Sequence, residues 1–194
     1  MPDRPPAGYN GVMFSLAPHE KATYEHYCLL PEGDRRELIE GELLVTPAPN
    51  EKHQRYSGNI EFELRKYLEE SPAGVLYHAP FDVILDNHNV VQPDIVLVLQ
   101  EHRSRIVTEG LRGAPDLVVE ILSPSTSSRD LVYKRHIYHR FRVPEYWIVD
   151  PEKETLTILK WAEKGYEDAS CGSTEVIETT LLPGLKLDLS RVFR

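Results

Sequence analysis

Between Glu51 and Glu70 the apolar residues Tyr56, Ile60, Leu64, Tyr67 and Leu68 recur at helical steps. That spacing predicts a helix with one buried face, stopped by Pro72 and Gly74. A shorter helix is expected over residues 19–30, ahead of Pro31, and another over about Ser128–Phe141. For the latter, Ser127 is placed to cap the first turn, with Asp130 completing the box. Strands are expected at Arg36–Val45 (bent at Gly41), Val75–Leu85, Val91–Leu99, Asp116–Leu122, Tyr146–Val149 and Thr155–Lys160, with one or two short ones near the C-terminus. QPDIVLVL and DLVVEIL are almost continuously aliphatic, as strands covered on both faces are. The fifth of the six ends at the Asp150-Pro151 turn, and the sixth, which alternates, is expected to form a hairpin with it. The expectation is an α/β fold, one mixed sheet flanked by helices, with a core order α-β-β-β-α-β.

Composition narrows the setting. The chain has 194 residues, 41% hydrophobic and 27% charged, which suits one globular unit at 19–194 behind a Pro- and Gly-rich leader at 1–18. The longest strictly apolar run is the five residues Ile95–Leu99, too short to cross a bilayer. The first residues lack the pattern of a secretory signal, and two cysteines cannot make a disulfide framework. A cytoplasmic protein without a membrane partner is expected. The formal net charge of −9 argues against a nucleic-acid partner unless basic residues gather on one face. Two arginine-rich stretches, 102–112 and 129–142, are the candidates; within the second, Arg129 and Arg135 are the expected phosphate contacts.

Two carboxylates sit where the pattern calls for Val or Ile: Asp94 inside VVQPDIVLVL and Glu120 inside LVVEIL. A charge left in an apolar strand costs several kcal/mol, by order of magnitude, unless paired or bound to a metal. Neighbouring strands could bring both acids to one point, where a hard divalent cation would relieve their repulsion. Lys134 falls on the packing stripe Leu131, Lys134, Tyr138, Phe141, and so is expected to point inward. Asp82 is a third strand carboxylate that could line the same cleft. Plainer readings stay open: Asp94 capping a turn, Glu120 neutralised by Lys134, Lys134 reaching past the stripe to water.

Pro93-Asp94 followed by Glu120-Ile121-Leu122 resembles the PD-(D/E)XK nuclease superfamily. Its Uma-type restriction-endonuclease branch is the nearer likeness. The resemblance runs from about Tyr24 to Phe193 through RELIEGELLVTPAPNEKHQR, APFDVILD, VQPDIVLV, GAPDLVVEILSPSTSSRDLVYKRHIYH, VPEYWIVDP and LLPGLKLDL. The superfamily pattern has lysine where this chain has Leu122; Lys134 matches the position to which the Uma-type branch moves it. The resemblance implies a restriction-endonuclease-like fold and a Mg²⁺-dependent endonuclease acting on DNA, with Mn²⁺ as substitute. Asp94, Glu120 and the Ile121 carbonyl would hold the metal, and Lys134 would orient water or stabilise the transition state. It also puts Glu42 and His53 near the site, and implies a homodimer. The alternatives are a catalytically silent DNA- or protein-binding module of the same fold and a nuclease acting on RNA.

Overall fold

The structure is a computed structural model. It describes residues 20–31, 33–46, 48–123 and 127–194, with the side chains of 127–131 outside the description. The expected leader, the Ser127–Asp130 cap and the Arg129 contact all lie outside the described residues.

The chain opens with α1 (Tyr24–Cys28), shorter than expected, and a hairpin of β1 (Arg36–Ile39) and β2 (Glu42–Val45). Glu40 and Gly41 make its turn, both with positive φ, at 54° and 83°; this is the geometry that tight hairpins need. Next comes α2 (Glu51–Glu70), burying Tyr56, Ile60 and Leu64 as the spacing predicts. It is followed by β3 (Gly74–His78), β4 (Val83–Asp86), β5 (Asn89–Val91) and β6 (Ile95–Leu99). A 3₁₀ turn leads to β7 (Ile106–Val107), β8 (Gly110–Arg112) and β9 (Leu117–Ile121). Then α3 (Ser127–Arg140) crosses to β10 (Glu145–Asp150), which pairs parallel with β9 and antiparallel with β11 (Thr155–Lys160). The chain ends in β12 (Glu167–Cys171), β13 (Val176–Ile177), β14 (Leu187–Asp188) and α4 (Leu189–Val192).

The expected single sheet is divided. One six-stranded sheet runs β12-β11-β10-β9-β6-β3 and the other β2-β1-β5-β4-β8-β7. The two long strands expected at Val75–Leu85 and Val91–Leu99 are each cut at a proline, Pro80 and Pro93, which cannot donate to a ladder. At both cuts the chain passes from one sheet to the other. Restricted to the first sheet, the elements still follow the order α2, β3, β6, β9, α3, β10.

Strands β6 and β9 are buried on both faces, and their side chains alternate between two cores. Ile95, Leu97, Leu117, Val119 and Ile121 pack with Tyr56, Ile60 and Leu64 of α2. Val96, Val98 and Val118 pack toward Val83, Leu85 and Val91 of the second sheet and Ile137 and Tyr138 of α3. Glu120 alternates onto this second face, between the sheets and under α3. No helix among the described residues is long and apolar enough to cross a membrane.

Candidate functional site

Antiparallel pairing of β6 with β9 matches Ile95 with Val119. One step further along that register brings Asp94 opposite Glu120, on the same face. Asp94 stands just after the Pro93 break, where its carbonyl accepts from the Ala79 N–H at 3.1 Å and its side chain remains at the sheet. Its Oδ2 accepts a hydrogen bond from the Ile121 N–H at 2.7 Å. The ring of His53 lies beside it, Nε2 to Oδ2 3.2 Å. His53 is set in the first turn of α2, where its backbone N–H donates to the Asn50 cap at 2.9 Å. Its Nδ1 is buried without a hydrogen-bond partner among the described residues.

Lys134 enters the same space from α3, and it is buried. Its ammonium lies 2.9 Å from Glu120 Oε1 and 3.0 Å from Glu37 Oε1. The Tyr138 hydroxyl, one turn later on the helix, donates to Glu120 Oε1 at 2.7 Å. Glu37 also accepts from the Gln92 N–H at 2.7 Å. Burial pushes the Glu120 carboxyl up to about 8; Lys134 opposes the shift, while the charges of Asp94 and Glu37 add to it. One ammonium is shared by two carboxyls, those of Glu120 and Glu37. Burial, and after it Glu120, holds the Tyr138 hydroxyl well above its usual range, so it stays a donor.

Asp94, Glu120, Lys134, Glu37 and His53 line a small cavity of about 70 Å³ together with Ile121, Ser123, Tyr133 and the lip of β2. A wider groove of about 810 Å³ reaches Asp94 and His53 from the other side. Among the described residues no group of three or more His, Cys, Asp and Glu forms a ready metal cage. The donor chemistry still suits a hard cation. Among the described residues no hydrogen bond goes to Asp94 Oδ1 or Glu120 Oε2, and both carboxylates line the cavity. Two carboxylates with water and a backbone carbonyl is how Mg²⁺ is commonly held.

Comparison with known proteins gives a family and a fold. A family model, Uma2, described as a putative restriction endonuclease, matches residues 22–190. The chain belongs to the Uma2 family. A crystal structure from Anabaena variabilis, described as a putative nuclease of DUF820, superposes with a TM-score of 0.74 at 19% identity. The match covers 88% of this chain and 97% of that one, and at this identity it speaks to the fold. No curated protein matches the chain.

Other residues expected at the site of this Uma2 chain fall elsewhere. Glu42 is exposed on β2 and does not line the cavity; Glu37, on the paired strand, lies there instead. Asp82 lines the wider groove, where it accepts from the Tyr27 hydroxyl and from Gln92 Nε2, both at 2.8 Å. Gln92 thus ties Asp82 to Glu37. Arg135 is turned from the cavity to Asp168 on β12 at 3.1 Å. Arg140 pairs with Glu40 at 2.6 Å and Asp86 at 3.3 Å, and Arg142 lies over Trp161. In the earlier stretch His102 pairs with buried Asp116 and Arg105 donates to the Ala114 carbonyl. The described arginines of the two stretches are therefore engaged within the chain rather than laid out as one basic face. Their residues alternate with acids that are close in space but distant in sequence.

The sequence pattern missed Glu37, Tyr138 and Gln92. For Glu37 a signal exists: it shares a strand face with Ile39, which is buried.

Proposed function

We propose that the chain is a divalent-metal-dependent endonuclease that hydrolyses DNA phosphodiester bonds. The carrying observation is that the register of β6 and β9 sets Asp94 opposite Glu120 and that both line one cavity with Lys134. Asp94, Glu120 and the Ile121 carbonyl are the groups that would hold Mg²⁺ or Mn²⁺. Such an ion, when bound, would polarise a phosphoryl oxygen and make a bound water more acidic.

The chain's own groups prepare that chemistry. The Ile121 N–H and the His53 ring fix the Asp94 carboxylate from two sides. Tyr138 and Lys134 hold Glu120 by the same oxygen, Oε1. Glu37 keeps the Lys134 ammonium in place. From there the ammonium can orient an attacking water or stabilise the charge that develops on the phosphorus oxygens. No covalent intermediate is needed. A homodimer belongs to this reading where both strands of a duplex are cut, and sedimentation at micromolar concentration tests it.

The decisive experiment pairs melting with cleavage. Mn²⁺ should raise the melting temperature, supercoiled plasmid should be nicked with Mg²⁺ or Mn²⁺, and Asp94→Asn should abolish both. A silent binding module of the same fold is the second reading, favoured by one observation: Lys134 already offsets buried acid charge without any metal. It is supported if wild-type protein shows neither the thermal shift nor nicking of DNA. Competition by RNA in the cleavage assay distinguishes an RNA nuclease.

A further inference from the structure

Exposed apolar side chains gathered at the rim of a pocket mark a binding groove, whereas singly scattered ones are ordinary. Val45 and Tyr133 are 73% and 52% exposed, and both line the cavity of Asp94, Glu120 and Lys134. Tyr133 precedes Lys134 on α3, so the helix that sends the ammonium inward also sets a phenol ring at the cavity's mouth. The other α3 tyrosine, Tyr138, is buried and hydrogen-bonded to Glu120. Tyr133 has neither a hydrogen-bond nor a ring partner among the described residues. A half-exposed ring beside a phosphodiester site offers a face to a flat, apolar ligand.

We propose that Tyr133 is a substrate-binding residue that stacks on the nucleobase flanking the scissile phosphate, and that the preferred substrate is an unpaired strand. The inference rests on the nuclease reading above and names its substrate class. A base inside a duplex has both faces covered by its neighbours; only an unpaired, terminal or extruded base has one to give. Among the described residues, the approaches to the cavity carry little of what a duplex reader needs. Arg135 and Arg140 are committed to Asp168, Glu40 and Asp86. The wide groove carries Asp34, Glu61, Asp82 and Glu109 against Arg35, a poor bed for two phosphate backbones. Stacking gives affinity that does not depend on such a bed.

The test uses the full chain and a short oligodeoxynucleotide in three forms: single-stranded, abasic beside the cut position, and annealed to its complement. Tyr133→Ala should raise KM on the single strand about tenfold, the size of one lost base–aromatic stack, with kcat little changed. Tyr133→Phe should keep the wild-type KM. The abasic strand should show the raised KM with wild-type protein, and Tyr133→Ala should add nothing on it. Equal KM for wild type and Tyr133→Ala, an equal rise on intact and abasic strands, or duplex cut as well as single strand would each overturn the proposal. If wild-type protein cleaves nothing, the nuclease reading fails, and stacking is then read by fluorescence. A single strand carrying 2-aminopurine, in Ca²⁺, should be quenched by wild type and Tyr133→Phe but not by Tyr133→Ala. Absence of wild-type quenching sinks the stacking assignment.

Discussion

At the scale of single residues, Glu120 carries the sharpest consequence. Its carboxyl, ordinarily near 4.5, is lifted to about 8 by burial and by the neighbouring acids. The folded protein therefore keeps a proton that the unfolded chain gives up. Its contribution to stability is full below about pH 4.5 and is lost as pH rises toward 8. Glu120→Gln carries no such proton, so its stability should fall less over pH 5–8 than that of wild type. Urea denaturation across that range checks the difference. Lys134 yields a second prediction. Lys134→Met leaves Glu37 and Glu120 buried without a cation and should cost about 3–5 kcal/mol. Adding Glu37→Gln should recover part of the loss, since the carboxylate left without its cation is then gone. Asp94, Glu120 and Lys134 could be read from the sequence because a charge inside an apolar pattern has to be accounted for. Glu37 was hidden because RELIEGE holds three acids, and only the turn at Glu40-Gly41 decides which one faces inward.

At the scale of elements, pattern and structure agree where burial is one-sided or complete. Helix α2, the β10–β11 hairpin and the apolar runs of β6 and β9 all follow their hydrophobic spacing. The pattern fails where a strand changes sheets, because apolar residues continue across Pro80 and Pro93 while the ladder does not. Partners of the arginines were illegible for a similar reason: Arg140 and Glu40 are a hundred residues apart. Strand β8 shows how closely the pieces fit. Gly110 has φ of 144°, and a Cβ there would lie 2.1 Å from the Asp82 carbonyl oxygen. Gly110→Ala should therefore destabilise by more than about 1 kcal/mol. It should also disturb the Tyr27–Asp82–Gln92 bonds that border the groove, which a changed melting temperature and the Tyr27 NMR environment would report.

At the scale of the whole molecule, two sheets meeting over β6 and β9 create the seam in which the acids lie. Each proline that breaks a strand sends the chain across that seam, and Asp94 stands at one of these crossings. The net charge of −9 now has a local meaning, since the described arginines of the two basic stretches are largely occupied at home. Binding of single-stranded DNA should accordingly weaken only modestly as salt rises, with a log–log slope well short of that of a protein neutralising many phosphates. Fluorescence anisotropy over a salt series measures that slope.

The ammonium held between Glu37 and Glu120 has one more effect. It acts as an internal counter-ion, so the seam does not rely on a bound ion to keep its shape. Prolonged dialysis against a chelator should leave a dormant but intact domain with unaltered circular dichroism, ready to be woken by adding the ion back.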